Sequence, residues 1–292
     1  MRRRRRPSVY GRHDGFRRNH AKGVAATGAF ASNGAGTAVS KAAVFVAGTV
    51  PVIGRFSLSG GLPDQPDKAD TVRGRALPFL LPNGEQWRTA MINIPVFPDS
   101  TPQGFYERLL ASKPAGATGK PDPQQMAAFL NRHPETVAAM KIIKQSPPSS
   151  GFTDSIFHRL NAFHFTNANA VPLRWAAVPQ QGPPPATPAA QKDYLFDALI
   201  AVVARGPVSW RLVLTVGATD DPTNDATKPW PASRPTIDAG TITIDAVHTE
   251  APGNPRDVNF DPLVLPTVSP RPTIHCLLRA RRYTRARSTA AP

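Results

Sequence analysis

The chain has 292 residues, of which 40% are hydrophobic and 19% charged, the composition of a globular protein with one large domain or two modest ones. Its apolar runs are far shorter than the roughly 20 residues that a membrane-spanning helix needs, so we expect no membrane span. A lone cysteine, Cys276, excludes an internal disulfide framework and a metal cluster held by several thiolates.

The net charge of +15 is concentrated at the two ends of the chain. Residues 1–18 and 271–292 together carry +13 of it, so the long middle segment is close to neutral. Five arginines at positions 2–6 could bind phosphate by charge alone, but the neutral middle argues against a nucleic-acid partner. We therefore expect a solvated basic arm over residues 1–16 and one domain over residues 17–292. No apolar stretch follows the arginines as in a secretory signal, which leaves cytoplasm and periplasm as alternatives.

The distribution of proline and glycine favours short strands and shaped loops over long helices. The chain holds 33 prolines and 21 glycines, spread along its whole length. Eight short runs of β-forming composition lie between these breakers. The predicted strands are Gly23–Phe30, Ala42–Val46, Val52–Leu58, Leu77–Leu81, Ala162–Asn167, Leu173–Val178, Ser209–Val216 and Thr241–Val247. Eight such strands suit a closed antiparallel β-barrel.

Apolar residues at helical spacing predict helices in three further segments. These segments are Gln103–Ala111, Asp122–Gln145 and Asp193–Arg205. Pro134 should interrupt the second helix, and Gly206 followed by Pro207 should end the third. We expect the helices to pack outside the barrel, which makes the fold class α+β.

Four short stretches combine residue types that carry chemistry or bind anions. They are RRNHAKG at 17–23, RFS at 55–57, NIPVF at 93–97 and FDP at 260–262. A histidine beside a turn, as His20 is, would alone be read as structural. Its companions in the other three stretches favour a functional interpretation.

Together these stretches resemble the haem catalases, and most closely the shorter catalase-related peroxidases. They match the motifs R-x-x-H-A-K-G, R-F-S, N-x-P-x-F and F-D-P in order, and residues 221–227 followed by Trp230-Pro231 match D-P-x-x-D-x-T before W-P. The resemblance covers nearly the whole chain. It implies an eight-stranded antiparallel barrel with surrounding helices that holds haem b between the barrel and a C-terminal helix.

The resemblance assigns roles to three residues on the peroxide side of the haem. His20 is the acid–base group that moves a proton from the near to the far oxygen of the peroxide. Asn93 orients the peroxide by hydrogen bonding, and Ser57 hydrogen-bonds the imidazole and fixes its tautomer.

The same resemblance assigns cofactor-binding residues around the haem ring. Arg17 and Arg55 would pair with the haem propionates, with surface ion pairing as the alternative for both. Phe97 and Phe105 would contact the ring, or would be plain core residues.

On the other side of the haem, the resemblance makes Tyr283 the iron ligand, as tyrosinate is in catalase. Arg279 lies four residues earlier, where one helix would bring the two side chains together. Its positive charge would lower the pKa of the phenol and keep the ligand anionic. The contexts of the other tyrosines, Tyr10, Tyr106 and Tyr194, do not match.

The sequence departs from the family pattern in two places. Arg75 stands where the family has an apolar Met or Phe, so packing there should differ. Residues 268–292 do not resemble the family's C-terminal helix, which carries the tyrosine that binds the iron. If the tail is back-translated with suitable synonymous codons and read in a shifted frame from Thr267 onward, it can encode a helix like that of the family. In that helix an arginine and a tyrosine fall almost at the positions of Arg279 and Tyr283. We therefore suspect a frameshift near Thr267.

The function that the resemblance implies is a haem-dependent peroxidase or catalase. It would use hydrogen peroxide to oxidise small organic donors, with weaker catalatic turnover. The alternative is a haem-binding, catalase-like protein that is inactive because its C-terminal tail is damaged. The expected partners are hydrogen peroxide and organic electron donors, and we leave a homodimer open.

Overall fold

A computed structural model describes most of the chain between residues 10 and 266. The described ranges are 10–11, 13–115, 120–146, 149–164, 171–184, 191–248 and 258–266. The arginine run at 2–6 and the tail at 268–292 lie outside the described residues. The same holds for Cys276, Arg279 and Tyr283.

Eight antiparallel strands close into a barrel, as the sequence predicts, in the order β1-β10-β9-β8-β7-β4-β3-β2. The barrel strands are β1 (Gly23–Ser32), β2 (Gly48–Leu58), β3 (Arg73–Leu80), β4 (Gln86–Ile92), β7 (Phe157–His164), β8 (Pro172–Pro179), β9 (Val208–Val216) and β10 (Thr236–His248). A separate hairpin pairs β5 (Pro114–Ala115) with β6 (Lys120–Pro121). Closure leaves none of the eight strands with a free edge.

Strand β4 shows how alternation gives the barrel an inner and an outer face. Trp87, Thr89 and Met91 are buried, while Ala90 and Ile92 between and beyond them are half-buried. This period of two is the expected pattern for a strand with one face in a core. The outer face of β4 is therefore free to form the wall of a site.

Large aromatic side chains fill the barrel interior. Those with at most 2% exposure include Phe30, Phe56, Phe79, Trp87, Phe157, Phe163, Trp175 and Trp210. Neighbouring rings make edge-to-face and stacked contacts, such as the 4.7 Å between the ring centroids of Phe79 and Trp87. Burial of each ring stabilises the fold by about 1.5–3 kcal/mol. This core makes the outer face of the barrel a rigid base for side chains that must hold their positions.

Four α-helices pack outside the barrel, as predicted. They are α1 (Pro102–Ala111), α2 (Pro123–Arg132), α3 (Pro134–Gln145) and α4 (Tyr194–Val203). Thr101 caps α1 by accepting a hydrogen bond from the amide of Gly104, and Asp122 caps α2 by accepting one from Gln124. Pro134 separates α2 from α3, which confirms the predicted interruption. Within the described residues, no helix is long and apolar enough to span a membrane.

One of the eight predicted strands is wrong, and one strand of the real barrel, β4, was missed. Ala42–Val46 contains a 3₁₀ turn in which the amide of Phe45 donates to the carbonyl of Ala42 at 3.0 Å. This turn places the Phe45 ring in the core, with its centroid 5.5 Å from that of Trp87. Strand β4 takes its place in the barrel. The strand predicted at Ala162–Asn167 is β7, which begins earlier, and residues 165–167 lie outside the described ranges.

Candidate active site

A cavity of about 530 Å³ lies against the outer face of strands β2, β3, β4 and β7. One row across these strands forms part of its wall: Ser57 pairs with Gly74, Gly74 with Ile92, and Ile92 with His158. Residues paired in this way project from the same face of a sheet, and all four line the cavity. The segment that precedes β1, residues from 97 to 105 at the start of α1, and Phe260 line other sides of the cavity.

His20 enters this cavity from a strained turn just before β1. Its φ of 55° makes it the one non-glycine residue with a positive φ in the described part of the chain. Such a conformation costs about 1–3 kcal/mol and persists only where the surroundings enforce it. The Asn19 side chain accepts a hydrogen bond from the amide of Gly60 at 2.9 Å, and the amide of Ala21 donates to the Gly60 carbonyl at 3.1 Å. The turn is thus tied to the loop that follows β2.

Arg55 also holds this turn. Its two terminal nitrogens donate to the carbonyls of His20, at 2.8 Å, and of Ala21, at 3.1 Å. Arg55 is only 3% exposed, so surface ion pairing does not describe it. A buried guanidinium that clamps two consecutive carbonyls stabilises the backbone conformation that aims the His20 ring into the cavity.

The His20 imidazole is neutral at physiological pH. Burial, together with the positive charges of Arg55 and Arg17, lowers its pKa to about 4. Nδ1 of the ring lies 3.0 Å from Oγ of Ser57. When Nδ1 carries the ring proton and donates a hydrogen bond to Oγ of Ser57, Nε2 is unprotonated and can act as a base. The geometry therefore supplies a neutral histidine that can accept one proton and return it.

Gly74 on β3 is what lets the imidazole pack against the barrel. A Cβ at this position would lie 2.9 Å from both Nδ1 and Cε1 of His20, and 2.8 Å from Oγ of Ser57. Sequence reasoning missed Gly74. The available signal was a glycine in a β-forming run, which marks a close approach by another group.

Arg17 and the aromatic pair also reach the cavity. Arg17 donates to the carbonyl of Val258 at 2.8 Å and lies 5.2 Å from the ring centroid of Phe260. Phe97 and Phe105 both line the cavity, with their ring centroids 5.8 Å apart. The structure thus brings His20 and Ser57 together with all four described residues predicted to bind the cofactor.

Asn93 lies at the edge of this group. Its side-chain oxygen accepts a hydrogen bond from the amide of Arg73 at 2.7 Å, and its own amide donates to the Arg73 carbonyl at 3.0 Å. Ile92, the preceding residue, lines the cavity, whereas Asn93 is not among the lining residues. The contacts of Asn93 in this structure therefore fix the end of β4 against β3.

Arg75 lies inside the barrel, on the face of β3 opposite Gly74. It is 1% exposed, and its guanidinium carbon is 3.9 Å from the ring centroid of Trp210. Phe56 and Phe157 lie farther out, at 5.6 and 5.8 Å. None of its side-chain nitrogens has a hydrogen-bond partner within the described residues. Burial alone lowers the pKa of this group to about 9. Cation–π contacts take the place of the apolar packing that the family pattern implies.

His158 is a second histidine of the cavity that sequence reasoning did not select. It sits on β7, between Ile92 of β4 and Ala176 of β8. Burial lowers its pKa to about 4, so it too is neutral at physiological pH. Its position follows from strand register, which no local sequence motif reveals.

A closed barrel with a strained, neutral histidine beside a cavity that two arginines line is the architecture of an enzyme active site. Comparison with known sequences identifies the family to which the chain belongs. The chain belongs to the catalase family, whose family model matches residues 15–283. It is therefore an oxidoreductase that acts on peroxide.

Two relatives are named catalase-related peroxidase. The protein of Synechococcus elongatus is 37% identical over 263 residues, which cover 88% of this chain and 78% of the relative. The protein of Mycolicibacterium paratuberculosis is 31% identical over 262 residues, which cover 87% of this chain and 82% of the relative. The predicted resemblance to catalase-related peroxidases is confirmed.

Solved catalase structures share the fold. A bacterial catalase superposes with a TM-score of 0.78 at 21% identity, covering 94% of this chain and 58% of its own. Catalase A from Saccharomyces cerevisiae superposes with a TM-score of 0.78 at 22% identity, covering 94% and 61%. The chain thus spans about three-fifths of the length of these catalases. The predicted α+β class with an eight-stranded barrel is confirmed.

Gly74→Ala should slow the reaction with hydrogen peroxide by up to ~100-fold, because the added methyl group displaces the His20 ring and a misplacement of about 1 Å can have that effect. Stopped-flow mixing with peroxide measures the rate, and circular dichroism checks the fold. Gly182→Ala is the matched control, since a Cβ there meets nothing within 4 Å. A folded Gly74→Ala protein with the parent rate would show that the imidazole does not need this clearance.

Proposed function

We propose that this protein is a haem-dependent peroxidase that uses hydrogen peroxide to oxidise small organic donors, with weak catalatic activity. The observation that carries the proposal is the neutral His20 imidazole, held in a strained turn over the cavity and bonded to Ser57. A merely structural histidine would not need a backbone conformation that costs free energy.

The residues of the cavity fit haem b. Gly74, Ala76 and Ala90 are small, and they give the outer face of β3 and β4 a flat surface on which a planar ring can lie. Arg17 and Arg55 supply positive charge to the same cavity. This combination of a flat, largely apolar wall with two guanidinium groups suits a macrocycle that carries two carboxylates.

Each predicted site residue has a place in this proposal. Arg17 and Arg55 would pair with the propionates, and Phe97 and Phe105 would contact the ring. On the other side, Tyr283 would bind the iron as phenolate, with Arg279 lowering the pKa of its phenol; both lie outside the described residues. When bound, the haem would supply the electrons that reduce peroxide.

The protein's own groups would handle the proton. Nε2 of His20 takes a proton from the near oxygen of hydrogen peroxide and delivers it to the far oxygen, which leaves as water. Ser57 holds the tautomer that makes Nε2 the base. Asn93 would orient the peroxide through its amide N–H groups, because its carbonyl oxygen is bound to the Arg73 amide.

The test combines haem content with turnover. The purified protein should carry one haem per chain and should oxidise a phenolic donor only when hydrogen peroxide is present. Tyr283→Phe should change the absorption spectrum of the bound haem, since a phenylalanine cannot ligate iron. A protein that takes up no haem would contradict the proposal.

Haem uptake without turnover would instead support the catalase-like protein inactivated by its tail. Comparison with a chain in which residues 268–292 are replaced by the reframed sequence then tests the suspected frameshift. Recovery of turnover in that chain would assign the defect to the tail. Equal haem content and turnover in the two chains would remove any functional reason for the frameshift hypothesis.

A further inference from the structure

His158 shares its face of the barrel with the groups that hold His20. A Cβ at Gly74 would clash with the His20 imidazole, Ile92 pairs with Gly74, and His158 pairs with Ile92. Neighbouring strands are about 4.8 Å apart, so the backbone of His158 lies roughly 10 Å from that of Gly74. The two histidines therefore line one cavity, on either side of Ile92.

The His158 ring has hydrogen-bonding capacity that the described protein groups leave unused. No hydrogen bond or ion pair joins its nitrogens to the described residues, and burial is the only cause that lowers its pKa. A neutral imidazole carries one donor nitrogen and one acceptor nitrogen. Polar groups in such a setting normally have a partner, and the cavity is the space from which a partner can come.

The surroundings favour a particular kind of partner. Leu160 lines the cavity along with the rings of Phe97 and Phe105, so much of the wall suits an aromatic molecule. The acceptor nitrogen of a neutral imidazole suits a hydroxyl donor. A phenol combines an aromatic ring with one such hydroxyl group.

We propose that His158 is a further catalytic residue, the proton acceptor for a phenolic electron donor bound in the same cavity as the peroxide. This inference rests on the proposed peroxidase function and names the substrate class of that site.

The reaction balances as follows. Each phenol gives one electron to the enzyme that peroxide has oxidised, its O–H bond breaks, and the proton goes to the free ring nitrogen of His158. The product is a neutral phenoxyl radical. Two phenols thus supply the two electrons and two protons that convert one hydrogen peroxide to two waters, and His158 returns each proton to the oxygen that leaves as water.

The first test measures binding in the absence of peroxide. Phenol is titrated into the purified holoenzyme beside anisole, which has the same ring but no hydroxyl group. His158→Leu should weaken phenol binding about fivefold, the worth of one hydrogen bond, and leave anisole binding unchanged. His158→Gln keeps an acceptor oxygen and should restore phenol binding. His164→Leu, on the same strand but not in the cavity wall, is the matched control.

The second test measures turnover with the same proteins. His158→Leu and His158→Gln should both lower kcat for phenol oxidation by at least tenfold, because neither side chain can take the proton. The rate at which each variant reacts with hydrogen peroxide alone should match that of the parent, since His20 serves that step.

The outcomes separate this inference from the function on which it rests. If the parent shows no peroxide-dependent oxidation, the proposed function fails, while the binding test still reports on His158. If the parent oxidises phenol and His158→Leu binds and oxidises it equally well, the function stands and the role of His158 is wrong. Equal weakening of phenol and anisole binding would also overturn it, because that result means lost packing rather than a lost hydrogen bond.

Discussion

His20→Ala should react with hydrogen peroxide ~10²–10⁴-fold more slowly than the parent, the range that a positioned acid–base group contributes, while its haem content stays unchanged. The substitution removes the ring that would carry a proton between the two peroxide oxygens. It leaves the other lining residues in place, Arg17 and Arg55 among them. This variant should therefore bind haem as the parent does and yet react slowly with hydrogen peroxide.

The measurement is the second-order rate constant for peroxide, with haem quantified in the same samples. His248→Ala is a suitable control, because Nε2 of His248 is hydrogen-bonded to Oγ1 of Thr27 between β10 and β1, and His248 is not among the residues that line the cavity. His20→Gly separates the ring from the backbone, since glycine adopts a φ of 55° without strain. If His20→Ala carried full haem and consumed peroxide at the parent rate, the acid–base assignment would be wrong.

The same assignment fixes the direction of the pH dependence. Only neutral His20 can accept the peroxide proton, and burial with the two arginine charges lowers its pKa to about 4. The peroxide rate should thus stay level from about pH 6 upward and fall as the pH drops through about 4. A histidine with the ordinary pKa near 6.5 would already lose activity between pH 7 and 6, which the rate profile would reveal.

Much of the fold could be predicted from composition and breaker residues, because barrel strands with one face in the core alternate visibly. The errors came where tertiary contacts override local preference. The apolar run at Ala42–Val46 has strand composition, yet it turns so that Phe45 can fill a gap beside Trp87. Strand β4 alternates too, but its polar residues, including the buried Thr89, weaken the strand pattern in its sequence.

The site divides in the same way. His20, Ser57 and Arg55 belong to short continuous motifs, so the sequence alone was enough to select them. Gly74 and His158 reach the site through pairing between strands that are distant in sequence. Register decides which residues of different strands face each other, and a shift by one residue would turn His158 to the other face.

Arg75→Met should raise the free energy of unfolding by about 1–4 kcal/mol, the gain seen when buried charges give way to apolar side chains of similar size. The guanidinium of Arg75 is 1% exposed, and its nitrogens have no hydrogen-bond partner among the described residues. Removal of a lone charge from water costs several kcal/mol, whereas its desolvated contact with Trp210 returns about 2 kcal/mol. The balance favours the apolar side chain.

Denaturant unfolding of both proteins measures this difference. Arg211→Met provides the matched control, because Arg211 is an exposed arginine with Asp238 at 3.6 Å, and loss of such a surface pair changes stability by about 0–1 kcal/mol. Arg75→Leu tests whether shape matters, since Leu lacks the unbranched length with which Met can follow the path of the arginine stem. A less stable Arg75→Met protein would mean that the contacts with Trp210, Phe56 and Phe157 outweigh the desolvation cost. In that case the barrel would be built around the arginine, and the departure from the family's apolar residue would stabilise this fold.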